Sequence, residues 1–177
     1  QKTGKVWAPR VLLAKLACGK DIEEVNRYLR NVEPWSSPGS SWLAHSGDYD
    51  FTEVTLTTIL YRFGDRPELL FPDTRRHVVD SLLLEEGGKP RRSVPGSLGV
   101  VNETENHVLM TESSRLLKNQ WKRAHGHQDP RYDNERNGLR HWLLAYLDRI
   151  HRKGFQEFNS VPYQAYATQA LLNLEAF

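Results

Sequence analysis

The stretch from Gly99 to Leu117, GVVNETENHVLMTESSRLL, places two asparagines, three glutamates and a histidine at the start of an amphipathic pattern. Amides and carboxylates bind hydroxyl groups, and an imidazole titrating near neutrality carries protons. Asn102, Glu103, Glu105, Asn106 and His107 are therefore the first candidates for chemistry. Two other polar stretches have compatible composition. EPWSSPGSSWLAHSGDY, residues 33–49, is a long connection without periodicity that carries Trp35, Trp42, Asp48 and Tyr49 and leads into Asp50. Such a loop is usually functional when it holds aromatics, because their faces stack on the apolar face of a sugar ring. GFQEFNSVP, residues 154–162, adds Glu157 and Asn159 and leads into Tyr163. Acids, amides, one imidazole and aromatic faces together favour a polar, ring-shaped ligand, and carbohydrate is the preferred class.

Each of these residues has a plainer role open to it. Asn102 with Glu105, and Asp50 with Glu53, have the spacing of capping pairs, and Glu103 is a favourable charge beside a helix start. Tyr163 and Tyr166 fall at core spacing. Glu105, His107 and Asp50 could also ligate a metal, but neither HExxH nor a histidine pair on one helix face is present, so no cofactor or metal is expected. Lys89, Arg91 and Arg92 form a solvated basic loop that could hold an anionic substrate.

The elements that must position these groups are read from periodicity and punctuation. Helices are predicted from Pro9 to Gly19, from Asp21 to Val32, from Asp50 to Gly64, from Pro72 to Gly87, from Asn102 to about Arg123, from Asp133 to Lys153 and from Pro162 to Leu174. No alternating β-branched run is long enough for a sheet, so the chain reads as all-α, a single domain over residues 1–177 built of antiparallel helical hairpins. If successive helices alternate in direction, those starting at Asp50, Asn102 and Pro162 all begin at one end. The three polar loops then meet there.

Composition narrows the rest. Lys and Arg number 24 against 22 Asp and Glu, with 38% hydrophobic residues, as in a soluble globular protein and not a nucleic-acid binder. Cys18 is the lone cysteine, so no internal disulfide framework exists, and no apolar run is long enough to span a bilayer. Neither membrane nor nucleic acid is an expected partner; the protein is expected to be soluble, and secretion or a periplasmic location is open. The run from Gln1 to Phe177 reads as a piece of a longer chain, whose remainder, or another subunit, would be a partner.

The helical hairpins, the Asn106-His107 pair within NETENH and the late GFQEFNSVPY segment resemble the α/α-toroid polysaccharide lyases and related toroid glycosidases, of the alginate lyase and heparinase II/III type. The resemblance covers roughly residues 48–174. It implies part of an α/α toroid and β-elimination of an acidic polysaccharide, with Asn106 neutralising the uronate carboxylate and His107 and Tyr163 sharing the acid/base roles. Trp42, Tyr49, Asp50, Asn102, Glu103, Glu105, Glu157 and Asn159, from the three converging loops, are the candidate substrate-binding residues. The alternatives are hydrolysis by paired carboxylates, Glu105 or Glu103 with Glu157 or Asp50, and a non-catalytic helical module that binds a glycan or a protein.

Overall fold

The computed structural model describes residues 7–36, 40–41, 46–94 and 97–177. Trp42 lies outside them. The described residues form seven α-helices: α1 (Trp7–Ala17), α2 (Ile22–Asn31), α3 (Asp50–Phe63), α4 (Pro72–His77), α5 (Glu105–Ala124), α6 (Leu139–Lys153) and α7 (Tyr163–Ala176). The all-α expectation holds. Two strands of two residues, β1 (Ser40–Ser41) and β2 (Ser46–Gly47), pair antiparallel inside the long first loop. Among the described residues no helix is long and apolar enough to cross a membrane.

Three departures from the predicted boundaries have local causes. The helix expected from Asn102 starts at Glu105, because Asn102 bridges to Ser93 and Glu103 donates its backbone N–H to Arg92, which keeps the chain extended. The helix expected from Asp133 starts at Leu139. Asp133 accepts the backbone N–H groups of Glu135 and Arg136 and so closes a turn, and Gly138, at φ 80°, breaks the helical path. The helix expected to reach Gly87 gives way after His77 to a π-helical turn, Val78–Leu82. Its last carbonyl, on Leu82, is met by the Tyr49 hydroxyl (2.8 Å), and the carbonyl of Leu83 just after it by Lys118 Nζ (2.6 Å). Asp21 adopts a left-handed backbone with no side-chain cap and pairs with Lys15 at 3.1 Å.

Three alternate helices, α3, α5 and α7, lie side by side and parallel. Asp50 meets His107 where α3 and α5 begin, the Tyr61 hydroxyl donates to the Leu117 carbonyl further along (2.9 Å), and Gly64 meets Trp121 at the far end. A Cβ at Gly64 would come within 2.6 Å of the Trp121 ring, so the close approach requires glycine. Along α7, Tyr166 packs edge-on against Phe51, the Asn173 amide bonds Val54 and Thr58, and Phe177 stacks on Tyr61. Two apolar clusters fill the spaces between helices. One joins α1, α2 and α3 to the π-helical turn, with Leu56, Ile59 and Leu60 at its centre. The other joins Phe51 and Val54 to Leu109, Met110, Ile150, Ala167 and Ala170.

Candidate functional site

The shared starts of α3, α5 and α7 bring together residues from all three polar loops. Asp50, 1% exposed, accepts from His107 Nδ1 at 2.6 Å, and its other oxygen is buried with no hydrogen-bond partner among the described residues. A carboxylate on Nδ1 fixes the imidazole tautomer and leaves Nε2 as the working nitrogen. Nε2 lies 3.9 Å from Asp48, whose side chain is partly exposed. The Phe51 ring stands edge-on to the imidazole at 5.3 Å between centroids. Burial alone would lower the His107 pKa, but the Asp50 hydrogen bond and the charges of Asp50, Glu103 and Asp48 outweigh it and raise the value above 6.5.

Glu103, whose charge acts on the imidazole, pairs with Arg91 at 3.5 Å, both largely buried. Burial pushes the Glu103 carboxyl upward, opposed by Arg91 and His107 and reinforced by Asp50 and Asp48. Arg92 and Asn102, by contrast, are exposed on the hairpin that leads into α5.

The third loop is tied to the first turn of α5 by crossed carboxylates. Glu157 accepts the Asn106 backbone N–H at 2.8 Å, and Glu105 accepts the Gln156 backbone N–H at 3.1 Å. The Asn106 side chain, 1% exposed, sits between the Glu157 carboxylate and the Thr104 hydroxyl, with its amide nitrogen toward both. Burial raises the Glu105 carboxyl, against the backbone N–H groups of Glu157 and Gln156.

The remaining candidates occupy different surroundings. Tyr49 is 3% exposed and its hydroxyl is spent on Leu82, so its ring is a core group and not a stacking platform. Tyr163, 43% exposed, opens α7 at the same end of the molecule. Asn159 is exposed at φ 58°, with its backbone N–H on the Gln164 side chain. Neither Asn102 with Glu105 nor Asp50 with Glu53 forms a capping pair. Thr104 precedes α5 without a side-chain cap bond, and Glu53 instead accepts the Leu84 backbone N–H at 2.8 Å. Among the described residues no group of three or more His, Cys, Asp or Glu side chains is arranged to hold a metal.

A second polar assembly, absent from the sequence reading, runs along α5. Glu112, Arg115, Lys118, Asn119 and Lys122 are all buried there. Most of their partners belong to the extended segment after Leu82, which lies along the helix as a strap; Lys122 instead pairs with Asp80 at 3.1 Å, and Asn119 also donates to Asn134. Arg115 reaches Glu112, Glu85 and the Glu86 carbonyl, Asn119 takes both the N–H and the C=O of Gly87, and Glu112 accepts the Arg91 backbone N–H. The strap thereby delivers Arg91 to Glu103 beside His107. The one signal for it in the sequence is the opposite charge of Glu112 and Arg115, one turn apart, with the Glu85-Glu86 pair nearby.

No protein-family model, curated protein or solved structure matches the chain.

Proposed function

We propose that this end of the molecule is the acid–base centre of a carbohydrate-cleaving enzyme, and that its reaction is β-elimination on an acidic polysaccharide. The observation that carries the reading is the 2.6 Å bond between Asp50 and His107 Nδ1, made where three helix starts and their polar loops converge. A buried carboxylate with one oxygen lacking a partner costs stability, and such costs are tolerated where they serve chemistry. In the proposed reaction neutral His107 Nε2 takes the proton next to the uronate carboxylate. The electron pair forms the new carbon–carbon double bond, the glycosidic carbon–oxygen bond breaks, and the Tyr163 hydroxyl protonates the departing oxygen. Asn106 is enclosed between Glu157 and Thr104, so the uronate carboxylate is left to other groups of this end of the molecule. The parallel set of α3, α5 and α7 supports the further reading that these are inner helices of an α/α toroid.

Hydrolysis is the second reading, favoured by Glu103: burial raises its carboxyl, as a proton donor needs, and a second carboxylate, Asp48, lies 3.9 Å from the imidazole's Nε2. One assay separates the two. Wild type, His107→Ala and Glu103→Gln are incubated with a panel of acidic polysaccharides while ultraviolet absorbance of unsaturated uronates and reducing ends are both followed. The elimination reading expects absorbance that His107→Ala abolishes. Reducing ends without absorbance, lost in Glu103→Gln, would establish hydrolysis, and neither signal from the folded chain would sink the enzymatic proposal.

A further inference from the structure

We infer that Glu157 and Asn106 are positioning residues for His107, acting by capping the first turn of α5 from a loop 51 residues further along the chain. The first N–H groups of an α-helix have no partner within the helix and are normally met by the residue just before it. Here that residue, Thr104, makes no such bond. Glu157 supplies the acceptor instead, taking the N–H of Asn106, the second residue of α5. The Asn106 side chain completes the contact by lying between Glu157 and Thr104, and Glu105 reciprocates by holding the Gln156 backbone. His107 is the next residue along. Its imidazole must reach Asp50, which is fixed in another helix, α3, so the 2.6 Å bond survives only while the first turn of α5 is wound. Frayed ends are the default for an uncapped turn, and fraying would carry the imidazole away from Asp50, from Asp48 and Glu103 beside it, and from the Phe51 ring edge.

The inference rests on the proposed function for its bearing on catalysis, but its test needs no turnover. In the full chain, the His107 imidazole is titrated by NMR and amide exchange is followed at Asn106 and His107. Asp50→Asn is the reference and lowers the His107 midpoint. Glu157→Ala, and Glu157→Asp with its carboxylate one methylene short, are expected to lower that midpoint in the same direction. Each should also speed exchange at Asn106 about tenfold or more, as loss of a hydrogen bond to a charged group requires. Glu157→Gln keeps an oxygen acceptor without the charge and is expected to return both readings most of the way to wild type, which separates position from simple charge removal. A His107 midpoint unchanged in the Ala and Asp variants, or a Gln variant no nearer wild type than Ala, overturns the inference even if the polysaccharide assay succeeds. A failed polysaccharide assay with these shifts present leaves the positioning role standing and removes only the catalytic reading.

Discussion

Asp50 and His107 are the pair whose ionisation sets the behaviour of the site. Replacing Asp50 with Asn removes the charge that holds the imidazole pKa up, so on the proposed elimination the limb of kcat/KM that rises with pH should move to lower pH. The maximum should fall about 10²-fold or more, the scale of positioned acid–base catalysis. The same pair also stabilises the fold. His107 is raised on folding, so its contribution is fully present below its ordinary value of 6.5 and is lost as pH rises through the raised folded value. Unfolding by urea across that window should show the slope in wild type and lose it in Asp50→Asn. Glu53 acts in the same sense among the acids. Burial, with Glu85 and Asp50, lifts its carboxyl from 4.5 to about 8, against the Leu84 N–H and Arg91. The folded state therefore binds the extra proton, and stability falls as pH rises from 4.5 toward 8. Glu53→Gln keeps the acceptor for Leu84 and should remove that fall, on the order of a few kcal/mol, from denaturation curves at pH 5 and pH 8. The types of these residues marked them in the sequence. Their pairing did not show, because Asp50 and His107 lie 57 positions apart and nothing local joins them. Tyr49 misled for the opposite reason: its ring falls in a polar loop, while the carbonyl that its hydroxyl binds is freed by a π-helical turn that no residue pattern announces.

α5 is built of two faces, and only one of them follows the usual periodic logic. Leu109, Leu117 and Trp121 bury an apolar stripe that can be read directly from the sequence. The face bearing Glu112, Arg115, Lys118 and Lys122 reads as solvent-exposed, and it is buried because a non-periodic strap covers it. A strap without regular structure must have its backbone groups met by side chains, and Asn119 and Arg115 do so for Gly87 and Glu86. Arg115→Ala leaves the buried Glu112 carboxylate without its guanidinium and the Glu86 carbonyl without its donor. A loss of about 3–5 kcal/mol in unfolding free energy is expected from removing one member of a buried pair. Lys118→Met should cost less than its burial implies, since Leu83 loses a donor while the strongly desolvated ammonium, whose pKa burial lowers, disappears as well. α5 and α6 start three and six residues later than periodicity predicts for a related reason: Asn102 and Asp133 have the right chemistry for caps and are used in a bridge and a turn instead.

The whole molecule holds together through α3. It contributes Leu56, Ile59 and Leu60 to one apolar cluster and Phe51 and Val54 to the other, so neither cluster can dissolve alone. Denaturant unfolding followed by near-ultraviolet and far-ultraviolet circular dichroism should therefore give coincident transitions. Separate midpoints would show that the two clusters melt independently. The alternation of long polar loops with short turns was enough to place the starts of α3, α5 and α7 at one end, since direction follows from helix count alone. The lateral order of the helices was not accessible, because amides such as Asn173, which binds α7 to α3, look like surface residues in a string of letters.

The common direction of those three helices has an electrical consequence. Each helix start carries about half a positive elementary charge, so three of them sum to roughly 1.5 at one end. That potential offsets the repulsion among Asp48, Asp50, Glu103, Glu105 and Glu157, which is how so many acids share a small region beside a histidine. It also makes the acid-rich end less forbidding to an anionic polymer than its side chains alone imply. Because backbone dipoles do not titrate, this contribution persists at every pH, and at the solvent-facing rim added salt weakens it.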